Sequence, residues 1–391
     1  MKLLTISNLY HPYIIGGAEI VAQRIAEGIK NYGFSSVVIT IAPEEKTEEV
    51  NGVKVYYVTK KNLYHFFPKR PRRPWPIRLM WHLRDLYNPR MGRVVGRILD
   101  AERPNLVHTH NIGGFSGAVW KVAKSRGLPL VHTIHDYYLL CAKSSMFKAG
   151  DNCLKPCRAC MPFHYVRRKL TAQVDYAVAV SAFLMARHRQ FGCFNGARQK
   201  IIHNATTPPD STVQNQVQNP LRFGFIGRIE KIKGVELLLE VFRGMATDRA
   251  TLTLAGTGDM AYVRTLQKIF AGARVEFLGF VPAAEFYRRV DVLIVPSLWH
   301  EAQSLVVMEA LSHGIPVIGA LRGGIPEILE EGKTGFLFDP SRPAALQEKM
   351  QIFLEHPGTV TQMEQHCRGR AEEFTPETFC RQYMEVYRSL I

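Results

Sequence analysis

Two glutamates separated by seven residues, Glu301 and Glu309, stand in the chemically richest stretch of the chain, which runs from Asp291 through Pro296 to Gly314. The apolar run ending at Pro296 reads as a buried strand and the loop after it carries Glu301. A helix is predicted from about Ser304 to Gly314, a residue suited to a helix-ending position. The amides of Ser304, Leu305 and Val306 open that helix without intrahelical acceptors, which suits them to phosphate oxygens. Glu309 lies about one turn further in, and helical side chains lean toward the N-terminus, so its carboxylate is aimed at the same place. Val306, Val307, Met308, Ala310 and Leu311 surround it with apolar groups. Burying a carboxylate costs several kcal/mol unless it is paired, so a solvated helix face is the poorer account.

A second group of residues suits an anion. The segment from Phe225 to Gly234 leaves a predicted strand and enters a helix through glycines that allow close backbone approach. Within it, Arg228 and Lys233 place two fixed positive charges at a strand's carboxyl end, where open α/β sheets bind ligands. Gly256-Thr257-Gly258 follows the next strand as a tight turn suited to a ribose or base. Two cations, two acids and a helix start together describe a pocket for a nucleotide diphosphate ester. One acid would hold a transferred sugar and the other the ribose.

The first half offers Gly16-Gly17 between strand and helix, another place where backbone meets an anion or an acceptor. His108 and His110 alternate along one strand, so both imidazoles share a face; a metal would need further ligands, and core or cleft histidines are expected. His135-Asp136 ends the neighbouring strand at the ligand-binding edge. Cys141, Cys153, Cys157 and Cys160 follow a C-x11-C-x3-C-x2-C spacing. Four such thiolates would hold one tetrahedral structural zinc, with buried reduced thiols as the alternative.

The scaffold for these residues is legible in the hydrophobic pattern. Short Val, Ile and Leu-rich runs alternate with amphipathic segments, which predicts an α/β fold of parallel strands and crossover helices. Strands are predicted at 3–7, 36–41, 53–58, 105–110, 130–135, 176–180 and 201–203, then at 222–226, 251–255, 274–278, 292–296 and 316–319. The first helix begins near Ala18, with Val21, Ile25 and Ile29 on one face; the last two cover 344–354 and 377–390. Residues 205–220, poor in large apolar groups and bracketed by prolines, read as a linker. The domains expected are therefore 1–204 and 205–373, followed by a terminal segment, 374–391.

A chain of 391 residues is long enough for two cores, and 46% hydrophobic with 21% charged residues is ordinary for a globular protein. No run approaches the roughly 20 apolar residues that span a bilayer. Asn8, His11, Pro12 and Gly16-Gly17 interrupt the opening apolar run before it makes a signal sequence, so a cytoplasmic protein is expected. The charge is uneven: residues 1–205 carry 31 Lys and Arg against 12 Asp and Glu, whereas 206–391 carry 19 against 22. Residues 60–103 hold 12 basic and three acidic residues, interleaved with Tyr64, Phe66, Phe67, Trp75, Ile77, Leu79, Met80 and Trp81. Such a stretch suits an anionic membrane surface, where each basic residue contributes about 1 kcal/mol. A solvated basic face with Trp75 and Trp81 turned inward is the alternative, and nucleic acid is drawn by the same charge.

Taken in order, Glu301-x7-Glu309, Gly314-Ile-Pro-Val-Ile318, Gly323-Gly-Ile-Pro-Glu327 and Gly332-Lys-Thr-Gly335 resemble the family-four retaining glycosyltransferases, and the likeness covers nearly the whole chain. The His135-Asp136 and cysteine stretch resembles that of a subgroup. The resemblance implies the GT-B architecture: two doubly wound, Rossmann-like domains facing a cleft, the first for the acceptor and the second for a nucleotide sugar, with residues 374–391 crossing back as a helix. It implies that Arg228 and Lys233 bind the diphosphate of a UDP- or GDP-sugar, that Glu309 holds the ribose, and that Glu301 and His135 contact the transferred sugar. Gly16, Gly17, Gly256, Thr257, Gly258, Val281, Ser304, Leu305 and Val306 complete the donor site so implied. The reaction implied retains configuration by a front-face, oxocarbenium-like path without a catalytic divalent metal. The acceptor would be a glycan or lipid-linked group in cell-surface polysaccharide or glycolipid synthesis at the inner face of the membrane, with no nucleic acid partner. Gln303-Ser304-Leu305 stands where many relatives have Phe-Gly-Leu; serine allows close approach of a phosphate and caps the helix, but the sugar preference does not carry over. Asn31-Tyr-Gly33-Phe lacks a histidine frequent after the first helix. The competing readings are a sugar-nucleotide epimerase on the same frame and a basic lipid- or nucleic-acid-binding protein.

Overall fold

In the computed structural model the described residues are 1–14, 16–64, 73–207, 209, 217–245, 248–270, 272 and 274–391. Phe66 and Phe67 of the basic stretch and half of the expected linker, 208 and 210–216, lie outside them. The apolar runs form β1 Lys2–Ile6, β2 Ser35–Ala42, β3 Lys46–Val50, β4 Val53–Thr59, β5 Leu106–Thr109, β6 Leu130–Ile134, a short hairpin of β7 Phe147–Lys148 and β8 Asp151–Asn152, β9 Tyr176–Ala179 and β10 Arg198–Ile201. After residue 220 come β11 Leu221–Ile226, β12 Ala250–Ala255, β13 Val275–Gly279, β14 Val292–Val295, β15 Val317–Ala320 and β16 Gly335–Phe338. They fall into two units, one of Met1–Met146, Cys153–Asn204 and Pro376–Ile391, the other of Phe147–Asn152 and Ala205–Thr375.

The N-terminal unit is built on an eight-stranded sheet in the order β10-β9-β6-β5-β1-β2-β4-β3. All pairs are parallel except β3 with β4. Leu3, Leu4 and Ile6 of β1 are buried, as continuous apolar runs must be when helices cover both faces. Strand order reverses between β1 and β5, and at such a switch point the loops leave in opposite directions and open a crevice. The Pro376–Arg388 helix belongs to this unit. Its Tyr387 hydroxyl shares a 2.8 Å hydrogen bond with His108 Nδ1, and its Tyr383 hydroxyl shares one of 3.0 Å with Thr133. The last helix thus locks onto the strands that carry the histidines.

The second unit holds six parallel strands in the order β13-β12-β11-β14-β15-β16, with its switch point between β11 and β14. The loops that leave these two strands are 227–234 and 296–304, the segments that carry Arg228, Lys233 and Glu301. They are pressed together: a Cβ on Gly234, whose φ is +73°, would lie 1.9 Å from the Pro296 carbonyl oxygen. Only glycine fits there.

Candidate active site

Lys233 ends a one-turn 3₁₀ segment, Lys231–Lys233, after β11, and Gly234 then starts the Val235–Gly244 helix. Its Nζ donates to Glu301 Oε1 at 2.7 Å, with the side chains 19% and 6% exposed. The Ser297 hydroxyl donates to the same oxygen. The Glu301 backbone is fixed as well, since its carbonyl accepts from Gly324 N at 2.8 Å and a Cβ on Gly323 would strike it at 1.9 Å. Glu301 is therefore a held anion paired with a cation at the switch point.

The helix beyond it is Leu305–Ser312, with Ser304 as N-cap and Gly314, φ +75°, ending it. The first-turn amides have no intrahelical acceptors and open toward positive potential. The Ser304 hydroxyl is buried and has no hydrogen-bond partner among the described residues. Glu309 is half-buried, and its Oε2 accepts from the Tyr287 hydroxyl at 3.2 Å. Burial and the Glu309 charge hold Tyr287 well above the usual phenol range, so it stays a donor.

The other expected residues of this unit are placed less closely. Arg228 is exposed and pairs with Glu230 at 3.1 Å on the same loop. Gly256, φ +129°, and Gly258 lie against that loop's backbone: Cβ atoms there would meet Gly227 O at 1.8 Å and Ile229 O at 2.2 Å. The first need for these glycines is thus strand-end packing, with Thr257 between them giving its carbonyl to Ile229 N at 2.9 Å. Val281 is half-buried against the core beyond β13.

In the N-terminal unit, Gly16 caps the Gly17–Gly28 helix and its amide donates to Glu19 Oε2 at 2.7 Å, so that N–H serves its own helix in a capping box. The carboxyl edge of β1, β5 and β6 opens a cavity of about 220 Å³ lined by Asn8, Trp81, His82, His110, His135 and Asp136 among others. His110 Nδ1 and His135 Nε2 share a 2.9 Å hydrogen bond. Burial pushes His135 down to about 3, His82 to about 4 and His110 well below the ordinary imidazole value. These rings are neutral near pH 7, each with one donor and one acceptor nitrogen. Burial raises Asp136 to about 6. His108 by contrast is used up structurally, between Thr133 and Tyr387.

Sequence reasoning missed the support behind this cavity. Asp85, fully buried, accepts from Gly114 N at 2.5 Å and the Tyr138 hydroxyl at 2.6 Å, with Arg167 Nη2 3.5 Å away. Arg167 also lies 3.7 Å over the Tyr138 ring. An aspartate inside an otherwise amphipathic helix was the available signal.

For the four cysteines expected from their spacing to bind zinc, no group of three or more histidine, cysteine, aspartate or glutamate side chains that could hold a metal ion is found among the described residues. The Cys160 thiol donates to Cys141 Sγ at 3.8 Å, and that bond together with backbone amides holds the Cys141 thiol below its ordinary range. Cys153 is tied elsewhere by its backbone, its N to Met146 O at 2.6 Å and its carbonyl to Arg187 at 2.8 Å.

Residues 15–208 match the family described as Glycosyltransferase Family 4, and residues 220–356 match Glycosyl transferases group 1. An uncharacterized 42.6 kDa protein in the cps region of Klebsiella pneumoniae is 31% identical over 84% of this chain and 87% of its own length. The chain belongs to the family 4 glycosyltransferases. This glycosyltransferase shares its fold with sucrose-phosphate synthase from Thermosynechococcus elongatus, at a TM-score of 0.79 and 19% identity over 100% of this chain and 98% of that one. HepE of Anabaena in complex with UDP-glucose aligns over 100% of both chains at a TM-score of 0.73 and 21% identity. The fold is GT-B, and the enzyme is a retaining glycosyltransferase.

Proposed function

We propose that this glycosyltransferase moves a hexose from a UDP-sugar to a glycan or lipid-linked acceptor in the synthesis of a surface polysaccharide or glycolipid, on the cytoplasmic side of the membrane. The observation that carries the donor half is the Lys233–Glu301 pair at the β11/β14 switch point, beside the start of the Leu305–Ser312 helix. Lys233, with Arg228, takes the diphosphate, and the Ser304 to Val306 amides donate to its oxygens. Negative charge grows on that diphosphate as the bond to the sugar breaks, and groups already fixed in place stabilise it without reorganising. Glu309 takes the ribose hydroxyls, Glu301 the sugar hydroxyls that release it from Lys233, and His135 contacts the transferred sugar. The turn at Gly256, Thr257 and Gly258, together with Val281, borders the nucleoside.

The N-terminal cavity is the acceptor side of this reading. Neutral imidazoles, Asn8 and Asp136 offer paired donors and acceptors suited to hydroxyl groups, and Trp81 offers an aromatic wall. The cps-region relative and the UDP-glucose complex of HepE support the biological setting and the choice of UDP.

The test is a panel of UDP- and GDP-sugars offered with a membrane extract, followed by nucleotide release and mass spectrometry of products. Release and a one-hexose mass gain with a UDP-sugar are expected, both lost in Lys233→Ala. Conversion of the sugar nucleotide to its epimer with no transfer, or release unaffected by Lys233→Ala, would overturn the reading.

A further inference from the structure

The Trp75–Leu86 helix has two unlike faces. Its buried residues are Trp81 and Asp85. Trp81 walls the N-terminal cavity, donates its indole N–H to Tyr64 O at 3.1 Å, and has Lys60 Nζ 4.1 Å from its ring centre. With the Asp85 bonds to Gly114 and Tyr138, these contacts pin the helix by its inner side.

The outer side carries Trp75, Leu79 and Leu83 at four-residue spacing, with Met80 beside them, and their exposures are 73%, 41%, 52% and 53%. One exposed leucine is ordinary, but four large apolar side chains on three turns of one helix form a patch that calls for a partner. Arg73, Arg78 and Arg84 are exposed next to it. A second copy of this face would set arginine against arginine, so self-pairing is disfavoured. An apolar stripe rimmed by arginines matches a surface with anionic headgroups above acyl chains.

We propose that this helix lies on an anionic lipid bilayer with Trp75, Leu79, Met80 and Leu83 at the acyl boundary and the arginines on lipid phosphates, and that the acceptor reaching the cavity on its inner side is lipid-borne. The docking half stands on the helix alone; the acceptor half rests on the proposed function.

Co-sedimentation of the full chain with phosphatidylglycerol-phosphatidylcholine vesicles, and with phosphatidylcholine alone, tests docking. Binding at least tenfold stronger to the anionic vesicles is expected. The Trp75→Ser/Leu79→Ser/Leu83→Ser variant should lose tenfold or more, and Arg78→Glu/Arg84→Glu should bind no better to anionic than to neutral vesicles. Thermal stabilisation by UDP on the same samples should be unchanged. Absent wild-type binding, an unaffected triple variant, or a wild-type dimer that the substitutions split would overturn docking. For the acceptor half, vesicles made from a bacterial membrane lipid extract should raise nucleotide release from the best UDP-sugar at least tenfold in wild type and not in the triple variant; equal release with and without vesicles would overturn it. Loss of UDP stabilisation in wild type, with vesicle binding intact, would instead refute the donor reading and leave docking standing.

Discussion

Replacing Lys233 by methionine should separate stability from catalysis. The substitution leaves the Glu301 carboxylate, 6% exposed, with the Ser297 hydroxyl and no cation. Removing one partner of a fully buried ion pair costs about 3–5 kcal/mol. Lys233 keeps 19% of its surface in water, which screens the pair and lowers the expected loss to about 2–3 kcal/mol. For a unit of this size that is a fall of about 5–10 °C in the melting transition of residues 205–375. Adding Glu301→Gln removes the stranded charge, so the double variant should recover most of the loss. Turnover should not recover, because a charge-assisted bond to the diphosphate is worth about 1.5–3 kcal/mol, or roughly 10- to 100-fold in kcat/KM. Scanning calorimetry and nucleotide release from a UDP-sugar read the two quantities. A double variant as unstable as the single one, or a single variant with wild-type kcat/KM, would refute the reasoning.

Gly323→Ala should lower the unfolding free energy in urea by about 2 kcal/mol or more, since φ is +61° and the new methyl meets Glu301 O at 1.9 Å. Gly127→Ala, with φ +69° and open space around it, is the control and should cost about 1 kcal/mol. Acid should destabilise the N-terminal unit in a defined window. Burial holds His132 and His135 near 3 and His82 and His188 near 4, so below the ordinary value of 6.5 the unfolded chain binds protons that the folded one refuses. Stability is then complete above about pH 6.5 and falls toward pH 4, by up to about 1.4 kcal/mol per group per pH unit. An N-terminal urea midpoint equal at pH 7.5 and 5.5 would contradict it. Tyr387→Phe strands His108 Nδ1 in the core and should cost about 1–3 kcal/mol, seen as faster amide exchange in the Pro376–Arg388 helix; unchanged exchange would contradict that anchoring role.

Much of the architecture was legible because parallel strands buried on both faces leave unbroken apolar runs, as at Leu3, Leu4 and Ile6 or at Val292 to Val295. What escaped was polar or short. The edge strand β3, Lys-Thr-Glu-Glu-Val, looks like a loop, although Asn51-Gly52 beside it, with φ of +50° and +69°, is a strong hairpin signal. β16, only Gly335–Phe338, shares its first residue with the Gly332–Gly335 motif and is too short to show a period, and Gly358–Ala371 hides an apolar face of Val360, Met363, Cys367 and Ala371 among polar residues. In the candidate site, Lys233 and Glu301 could be connected from sequence because each follows a strand end and adjacent strand ends share a crevice. Asp85, Tyr138 and Arg167 could not, since only the tertiary fold brings these distant segments together. At the glycines of 256–258 the backbone freedom was visible in the sequence, but the Gly227–Ile229 backbone that packs against them was not.

The most direct measurement is the electron density of UDP soaked into crystals of the full chain. The β-phosphate should lie within about 3 Å of Lys233 Nζ and of an amide in the Ser304 to Val306 turn, with the ribose on Glu309. Density for UDP elsewhere, with Lys233 still bonded to Glu301 and the helix start bare, would contradict the assignment of this switch point as the donor site.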